Sequence, residues 1–204
     1  MPVTLIIIAI TCVVSFAAFN NSRLLNDLIF WPPAIERQRE YYRLVSYGLI
    51  HADFMHLLLN MLTLFFFARY VEQFYTHTLG MFGFALFYLG GLIVSILPTY
   101  FANRGNASYR SLGASGAVSA VLFAVILFQP WATVRLYFAL PIPAIIYAVL
   151  YVGYSIYMDK RGEGNVNHSA HLWGAAYGVA FTLIVRPEML SIFLAQLQRP
   201  HFMM

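Results

Sequence analysis

Six apolar stretches, each long enough to form a membrane helix, limit how this chain can fold. The 204 residues are 61% hydrophobic and only 10% charged, whereas a soluble domain carries about 25% charged residues. Such a chain cannot hide its apolar surface from water, so composition excludes a soluble protein. We predict an all-α polytopic membrane protein, with residues 1–204 forming one six-helix domain. The predicted spans are Val3–Phe19, Met55–Val71, Leu79–Leu97, Leu112–Phe128, Leu136–Met158 and His168–Val185.

The segments around the first span carry three further predictions. The stretch Val3–Phe19 has no basic flank before it and no small-x-small site after it, so we interpret it as a retained helix and not as a signal peptide. Residues 20–54 mix aromatic and basic residues with apolar ones, which favours a structured loop at the membrane–water interface. The single Cys12 excludes a disulfide framework within the chain.

Two short polar strings stand at the start of predicted spans. One is Gly113-Ala114-Ser115-Gly116, and the other is His168-Ser169-Ala170-His171. Polar and ionisable side chains are costly in hydrocarbon and therefore indicate function. A serine and a histidine on different membrane helices, without a metal-binding motif nearby, predict hydrolysis inside the bilayer.

The alternating direction of the spans places these polar groups at one depth. Spans two, four and six enter the membrane from the same side. His56 and Asn60 lie at the start of span two, Ser115 at the start of span four and His171 at the start of span six. We therefore expect these side chains to lie close to one another near one face of the membrane.

The surroundings of Ser115 favour a nucleophile. Gly113 and Gly116 flank it and leave room for a substrate backbone. In the first turn of a helix, free backbone N–H groups and the positive end of the helix dipole can stabilise an oxyanion. His56 and Asn60 are four residues apart, so they share a helix face and could both point at that oxyanion.

The glycine pattern of span six brings the histidine into reach. His171, Gly174 and Gly178 lie on one helix face, and small residues at this spacing let two membrane helices approach closely. We expect this face to pack against span four and to make His171 the general base for Ser115. Spans four and six contain no Asp or Glu, which predicts a Ser–His dyad with no third, orienting acid.

These motifs together resemble the rhomboid intramembrane serine proteases over nearly the whole chain. They are the Gly-x-Ser-Gly of span four, the His-x-x-Gly-x-x-x-Gly of span six, the His-x-x-x-Asn at His56 and Asn60, and the pair Tyr42-Arg43 in the first loop. The resemblance implies Ser115 as nucleophile, His171 as base, and His56 and Asn60 beside the oxyanion. It also implies a water-filled cavity in the bundle and single-span membrane proteins as substrates.

Two residues depart from the family pattern. The first-loop pair is usually Trp-Arg, and here Tyr42 replaces the tryptophan. Many members carry an aromatic residue four positions after the serine, where it packs on the histidine; this chain has Ser119. The sequence does not indicate which residue orients His171 instead.

Several other functions were weighed against this one. His51 and His56 with His168 and His171 are too few for two iron ions, and the chain has only six histidines. The His-Glu-x-x-His of zinc proteases is absent, and no paired broken helices indicate a transporter. The main alternative is a rhomboid-like pseudoprotease that binds membrane helices without cleaving them, against which the presence of both Ser115 and His171 argues.

The expected partners are the lipid bilayer and single-span membrane proteins, in a bacterial cytoplasmic membrane. No cofactor or metal is expected. The net charge of +4 is spread over loops without a basic run, so nucleic acid is not an expected partner. Eight Lys and Arg residues lie on the predicted active-site side and four on the side of the termini, so the positive-inside rule opposes the family topology, in which both termini are cytoplasmic. Four of the eight lie in the first loop, and the remaining charges are split evenly, so we keep the family topology as the prediction. The sequence gives no prediction of oligomeric state.

Overall fold

The prediction of an all-α membrane protein is confirmed by a computed structural model, which describes residues 2–136, 140–162, 164 and 166–200. In this part of the chain ten α-helices and one small hairpin form the fold. The helices are α1 (Pro2–Phe19), α2 (Ser22–Leu28), α3 (Pro32–Gln38), α4 (Arg43–Ser46), α5 (Phe54–Leu79), α6 (Gly83–Asn103), α7 (Ser115–Phe128), α8 (Ala144–Arg161), α9 (His168–Val185) and α10 (Met189–Leu197). A 3-10 turn at Tyr47–Leu49 follows α4.

The second helix is longer than its apolar core. Helix α5 begins after Asp53, whose side chain accepts a hydrogen bond from the backbone N–H of His56 at 2.8 Å. It continues past Val71, where the predicted span ended, and stops at Gly80, which has a positive φ of 82°. The polar residues after Val71 are compatible with a helix that projects beyond the hydrocarbon. Because α5 ends only at Leu79, α6 starts at Gly83.

The predicted fifth span begins too early in the sequence. Strand β1 (Thr133–Leu136) pairs antiparallel with β2 (Leu140–Pro143), and α8 starts at Ala144. Prolines at 141 and 143 cannot donate backbone hydrogen bonds and fit poorly inside a helix. The prediction of a helix was therefore wrong at Leu136 and at residues 140–143, which form strands. Residues 137–139 of the predicted span lie outside the described residues.

Among the described residues, three helices are both long and apolar enough to cross a bilayer alone, namely α1, α5 and α6. Helices α9 and α10 meet that standard as a pair, with a bend of 116° between them. Helix α7 is apolar but has only 14 residues, or about 21 Å at 1.5 Å per residue. Because a hydrocarbon core is about 30 Å thick, α7 alone is too short to cross it.

Helix α7 lies at the centre of the bundle. All of its residues from Gly116 to Leu127 are buried, and α5, α6 and α9 surround it. At the periphery, α1 packs on α5. The buried carboxylate of Glu72 accepts hydrogen bonds from the backbone N–H groups of Val3 and Thr4 at 3.1 and 3.0 Å. Glu72 thus caps the first turn of α1, where free N–H groups and the helix dipole favour a negative charge.

The first loop is structured, as predicted, and folds into α2, α3, α4 and the 3-10 turn. Its buried Arg43 donates hydrogen bonds to the carbonyl oxygens of Asn26 and Ile29 at 2.7 and 2.8 Å. The backbone of Phe30 pairs with that of Ser111, just before α7, through two hydrogen bonds of 3.0 and 3.2 Å. The loop therefore holds the segment that leads to Ser115.

Glycines allow α9 to lie directly against α7. A Cβ atom at Gly174 would lie 2.1 Å from the carbonyl oxygen of Gly116, and one at Gly178 would lie 2.2 Å from that of Ala120. These contacts are with backbone atoms, which cannot move aside as a flexible side chain can. The glycine face of α9 thus packs on the serine-bearing helix.

We expect Gly174→Val to separate α9 from α7 and to carry His171 away from Ser115. Overpacking of this kind costs about 1–3 kcal/mol of stability, and misplacing a reacting group by about 1 Å can lower a rate roughly 10²-fold. The measurements are a thermal melt in detergent and a cleavage assay well below the melting temperature. Gly153→Val is the matched control, because a Cβ at Gly153 in α8 meets open space. Wild-type melting and cleavage in Gly174→Val would contradict the close contact.

Candidate active site

The turn before α7 presents Ser115 through a glycine that no other residue can replace easily. Gly113 has a φ of 108°, which strains any residue with a side chain. Its N–H donates to the carbonyl of Tyr47 at 2.9 Å. A Cβ at this position would also lie 2.6 Å from Cε1 of His56. Gly113 therefore lets the chain turn tightly into the helix while His56 lies against its backbone.

His51 fixes the same turn from the other side. It is fully buried, and burial together with the neighbouring His56 lowers its pKa to about 3, against a smaller opposing effect of Asp53. The neutral ring accepts a hydrogen bond from the N–H of Ala114 at Nε2, 3.4 Å away. Its Nδ1 lies 2.9 Å from Oγ of Ser15 in α1. His51 thus bonds the backbone next to Ser115 and holds this turn in place.

Ser115 and His171 are brought together at the start of their helices. Oγ of Ser115 lies 2.7 Å from Nε2 of His171. Helix α9 begins after Asn167, whose side chain accepts from the N–H of Ala170 at 2.9 Å. The glycine contacts described above set the distance between the helices. The pair has the geometry in which a neutral imidazole can accept the hydroxyl proton.

Backbone donors stand free beside the serine hydroxyl. Ser115 and Gly116 are the first two residues of α7, and in the described part of the chain their N–H groups have no hydrogen-bond partner. Gly116 lines the cavity, but it serves packing as well, since a Cβ there would lie 2.2 Å from Oγ of Ser95. The free N–H groups can stabilise negative charge that develops next to Ser115.

The two predicted oxyanion side chains differ in their surroundings. His56 Nδ1 accepts from the N–H of Ala52 at 3.5 Å, which assigns the ring proton to Nε2, on the part of the ring that faces Gly113. Asn60 is buried, and its Nδ2 donates to the carbonyl of His56 in its own helix at 2.9 Å. His56 therefore has a donor directed to the serine turn, while the Asn60 amide is partly engaged by the helix backbone.

A cavity of about 1000 Å³ opens in front of these residues. Its floor is α7, with Ser115, Val118 and Leu122. Helix α5 lines one wall with Met55, Leu59 and Thr63, and α8 lines the other with Tyr147 and Tyr151. The cavity is partly polar near Ser115 and apolar farther along α7. It can hold an extended peptide segment next to the serine.

The sequence analysis missed the residue that contacts the face of the His171 ring. Tyr151 in α8 stacks on His171 with ring centroids 6.1 Å apart and 23° between the planes. Its hydroxyl lies 2.5 Å from Oγ of Ser119. A tyrosine-rich helix was visible in the sequence, but only the packing of α8 selects Tyr151.

His168 lies near the pair without bonding to it. Its ring meets that of His171 edge to face at 5.8 Å and that of Tyr154 at 5.6 Å. Within the described ranges no group of three or more His, Cys, Asp or Glu side chains could hold a metal ion. The chemistry available at this site is therefore that of a hydroxyl, an imidazole and backbone N–H donors.

The fold and this site define an integral membrane protein whose polar cavity holds a hydrogen-bonded serine and histidine. Comparison with known proteins then identifies the family. The family model described as Rhomboid domain matches residues 38–188, and the chain belongs to the rhomboid family.

The relatives come from plants and bacteria. RHOMBOID-like protein 12, mitochondrial, of Arabidopsis thaliana is 28% identical over 80% of this chain and 52% of its own length. YdcA of Bacillus subtilis (strain 168), whose name provisionally calls it a rhomboid protease, is 39% identical over 44% of this chain and 42% of its own length. RHOMBOID-like protein 4 of Arabidopsis thaliana is 33% identical over 73% of this chain and 36% of its own length. The chain thus spans about half or less of the length of these relatives.

We expect His56→Ala to lower kcat about 10²–10³-fold with little change in KM, because the lost donor acts mainly in the transition state. Asn60→Ala should lower kcat by less than about tenfold, because the Asn60 amide is already hydrogen-bonded to the backbone of α5. The measurement is steady-state cleavage of a single-span substrate in detergent. A His56→Ala protein that raises KM and keeps kcat would place His56 in substrate binding instead.

Proposed function

We propose that this chain is an intramembrane serine endopeptidase that cleaves membrane-anchored proteins with Ser115 as nucleophile and His171 as general base. The observation that carries the proposal is the 2.7 Å contact between Ser115 Oγ and His171 Nε2 at the edge of a cavity that can accept a peptide. Membership of the rhomboid family supports it.

The geometry supports a two-step acyl transfer. His171 removes the hydroxyl proton while Ser115 Oγ attacks the carbonyl carbon of the scissile bond. The resulting oxyanion is held by the N–H groups of Ser115 and Gly116 and by Nε2–H of His56. His171 then gives its proton to the leaving amine, which departs and leaves an acyl group on Ser115. In the second step His171 takes a proton from a water molecule that attacks the acyl carbon, and returns this proton to Ser115 Oγ as the C–O bond breaks and the carboxylic acid product leaves.

The short central helix favours substrates within the membrane. If the C-terminal end of α7 reaches one surface of the bilayer, its length of about 21 Å leaves Ser115 about 9 Å below the other. Irregular backbone at such depth is tolerated where it lines a water-filled cavity, and residues 111–113 line the cavity here. Because α5 and α8 line opposite sides of the cavity, we propose that a single-span substrate reaches Ser115 between these two helices.

The proposed location is the bacterial cytoplasmic membrane, because one relative, YdcA, comes from a bacterium. The name of another relative assigns that protein to mitochondria, so the location of this chain is open to test by fractionation. An integral membrane protein is expected in the membrane fraction in either case.

The proposal is tested with purified protein in detergent and in liposomes, incubated with a single-span substrate. Cleavage should occur without added metal, survive a chelator, and stop after treatment with a fluorophosphonate. Mass spectrometry should locate the probe on Ser115. A protein that binds the substrate but neither cleaves it nor reacts with the probe would be a pseudoprotease, and the proposal would be wrong.

A further inference from the structure

We propose that Tyr151 of α8 is a positioning residue that holds the ring of His171 in line with Ser115. The inference rests on the proposed function, since it assigns His171 as the base. Tyr151 touches the imidazole, but its proposed action is on the orientation of that ring and not on the substrate.

The contact restricts the face of the imidazole. The two rings are 6.1 Å apart at their centroids and 23° from parallel, a distance and tilt within the range of offset-stacked aromatic pairs. The edge of His168 lies on a further side of the same ring at 5.8 Å. With both neighbours in place, the rings of Tyr151 and His168 restrict rotation of the His171 side chain away from Ser115.

Tyr151 is itself held by a directed hydrogen bond. Ser119 Oγ donates its only proton to the carbonyl of Ser115 at 2.8 Å. In the 2.5 Å contact between the two hydroxyls, Tyr151 must therefore be the donor and Ser119 the acceptor. The Tyr151 ring also stacks on that of Tyr147 at 5.7 Å and 26°. The hydrogen bond to Ser119 ties Tyr151 to the helix that presents the nucleophile, while Tyr147 holds the ring from within α8.

The need for such a residue follows from what surrounds His171. In a Ser–His–Asp arrangement a carboxylate bonds the second ring nitrogen and fixes the imidazole. In the residues that the structure describes, no carboxylate bonds His171, and the side-chain hydrogen bond of its ring is to Ser115. Stacking from α8 can supply the missing orientation.

The arrangement also explains Ser119. This position lies one helical turn after Ser115, where many rhomboid proteins carry an aromatic residue. Here a small hydroxyl leaves space for a ring from α8 and bonds to it. The ring contact on the histidine is thus supplied by a different helix, and it depends on α8 staying packed against α7.

The test compares Tyr151→Ala, Tyr151→Leu and Tyr151→Phe with wild type. The first two remove the ring, and the leucine variant keeps most of the volume should the alanine variant fold poorly. We expect both to lower kcat about 10–10²-fold while KM changes less than about threefold. Tyr151→Phe keeps the ring and should retain most of kcat. Tyr157→Ala is the matched control, because Tyr157 lies on the exposed side of α8.

A fluorophosphonate probe separates positioning from substrate contact. The probe is small and needs no lateral route for a membrane helix, but its reaction with Ser115 depends on the base. If Tyr151 positions His171, the labelling rate falls with kcat in the alanine and leucine variants. Normal labelling with poor cleavage would overturn the inference, since Tyr151 would then contact only the substrate.

A second-site variant gives a rescue test. Adding Ser119→Phe to Tyr151→Ala puts a ring one turn after Ser115 on α7 and should recover at least part of the labelling rate. Ser119→Phe alone should not exceed wild type, since it must displace Tyr151. The melting temperature shows whether the double variant is folded. If it is folded but is labelled no faster than Tyr151→Ala, the ring itself has no positioning role.

The outcomes for the two proposals are distinct. Wild-type cleavage that disappears in Ser115→Ala, together with full kcat in Tyr151→Leu, would overturn the positioning role alone. A wild-type protein that neither cleaves nor labels would overturn both the protease and the positioning role.

Discussion

Replacing Ser115 with alanine is expected to lower cleavage by about 10⁶-fold, the scale seen when a serine protease loses its nucleophile. The change removes the proposed nucleophilic oxygen and leaves the backbone donors of α7 in place. The fold should be unaffected, because alanine is tolerated in the first turn of a helix. Among the described residues, Ser115 Oγ makes one hydrogen bond, to His171. The measurements are single-turnover cleavage and fluorophosphonate labelling.

The control for this change is Ser191→Ala. Ser191 lies exposed on α10, and its hydroxyl donates to the carbonyl of Glu188, so both cleavage and labelling should stay at the wild-type level. Persistent cleavage in Ser115→Ala, with a melting temperature equal to that of wild type, would show that another residue is the nucleophile.

Removal of the base is expected to be nearly as severe. A neutral serine hydroxyl is a weak nucleophile without a proton acceptor, so His171→Ala should lower kcat by about 10⁶-fold, as loss of the histidine does in a serine protease. Because the two residues act as one unit, the double variant Ser115→Ala/His171→Ala should be no slower than either single one. The assay is the same single-turnover cleavage, with substrate binding measured separately.

His77→Ala is the matched control for the histidine. His77 lies exposed near the end of α5, away from the cavity that contains Ser115. Its loss should leave kcat unchanged. Equal losses at His77 and His171 would indicate a structural or metal-binding role for histidines in this chain and would contradict the base assignment.

Much of the fold could be predicted because apolar length is a local property. The bounds of α9 match the predicted span from His168 to Val185, and α1 differs by one residue from the prediction. One error arose where polar residues continue a helix, as in α5 after Val71, and another where apolar residues are not helical. The segment before Ala144 is apolar enough to extend a span, but its prolines and its pairing with Thr133–Leu136 make it a hairpin. Strand pairing is a contact between separate segments, which hydropathy does not report.

The candidate site divides in the same way. Ser115, His171 and the glycines at 174 and 178 could be chosen from the sequence, since polar residues in hydrocarbon and glycine spacing on one helix face are visible locally. The contacts around these residues could not be predicted from the sequence. For example, nothing in the sequence indicated that Ala114 and Ser15 are the partners of His51.

The sequence by itself determined that this chain is a helical membrane protein of the rhomboid type, because cost in hydrocarbon restricts which residues can occur along each span. Only the tertiary structure decided how the site is held together. It stacks Tyr151 on the ring of His171 and joins Tyr151 to Ser119 by a hydrogen bond. Tyr151 lies on α8, which begins more than twenty residues after Ser119 in the sequence. Such contacts depend on how α7, α8 and α9 pack against one another, and packing is settled by the shapes of all three helices together.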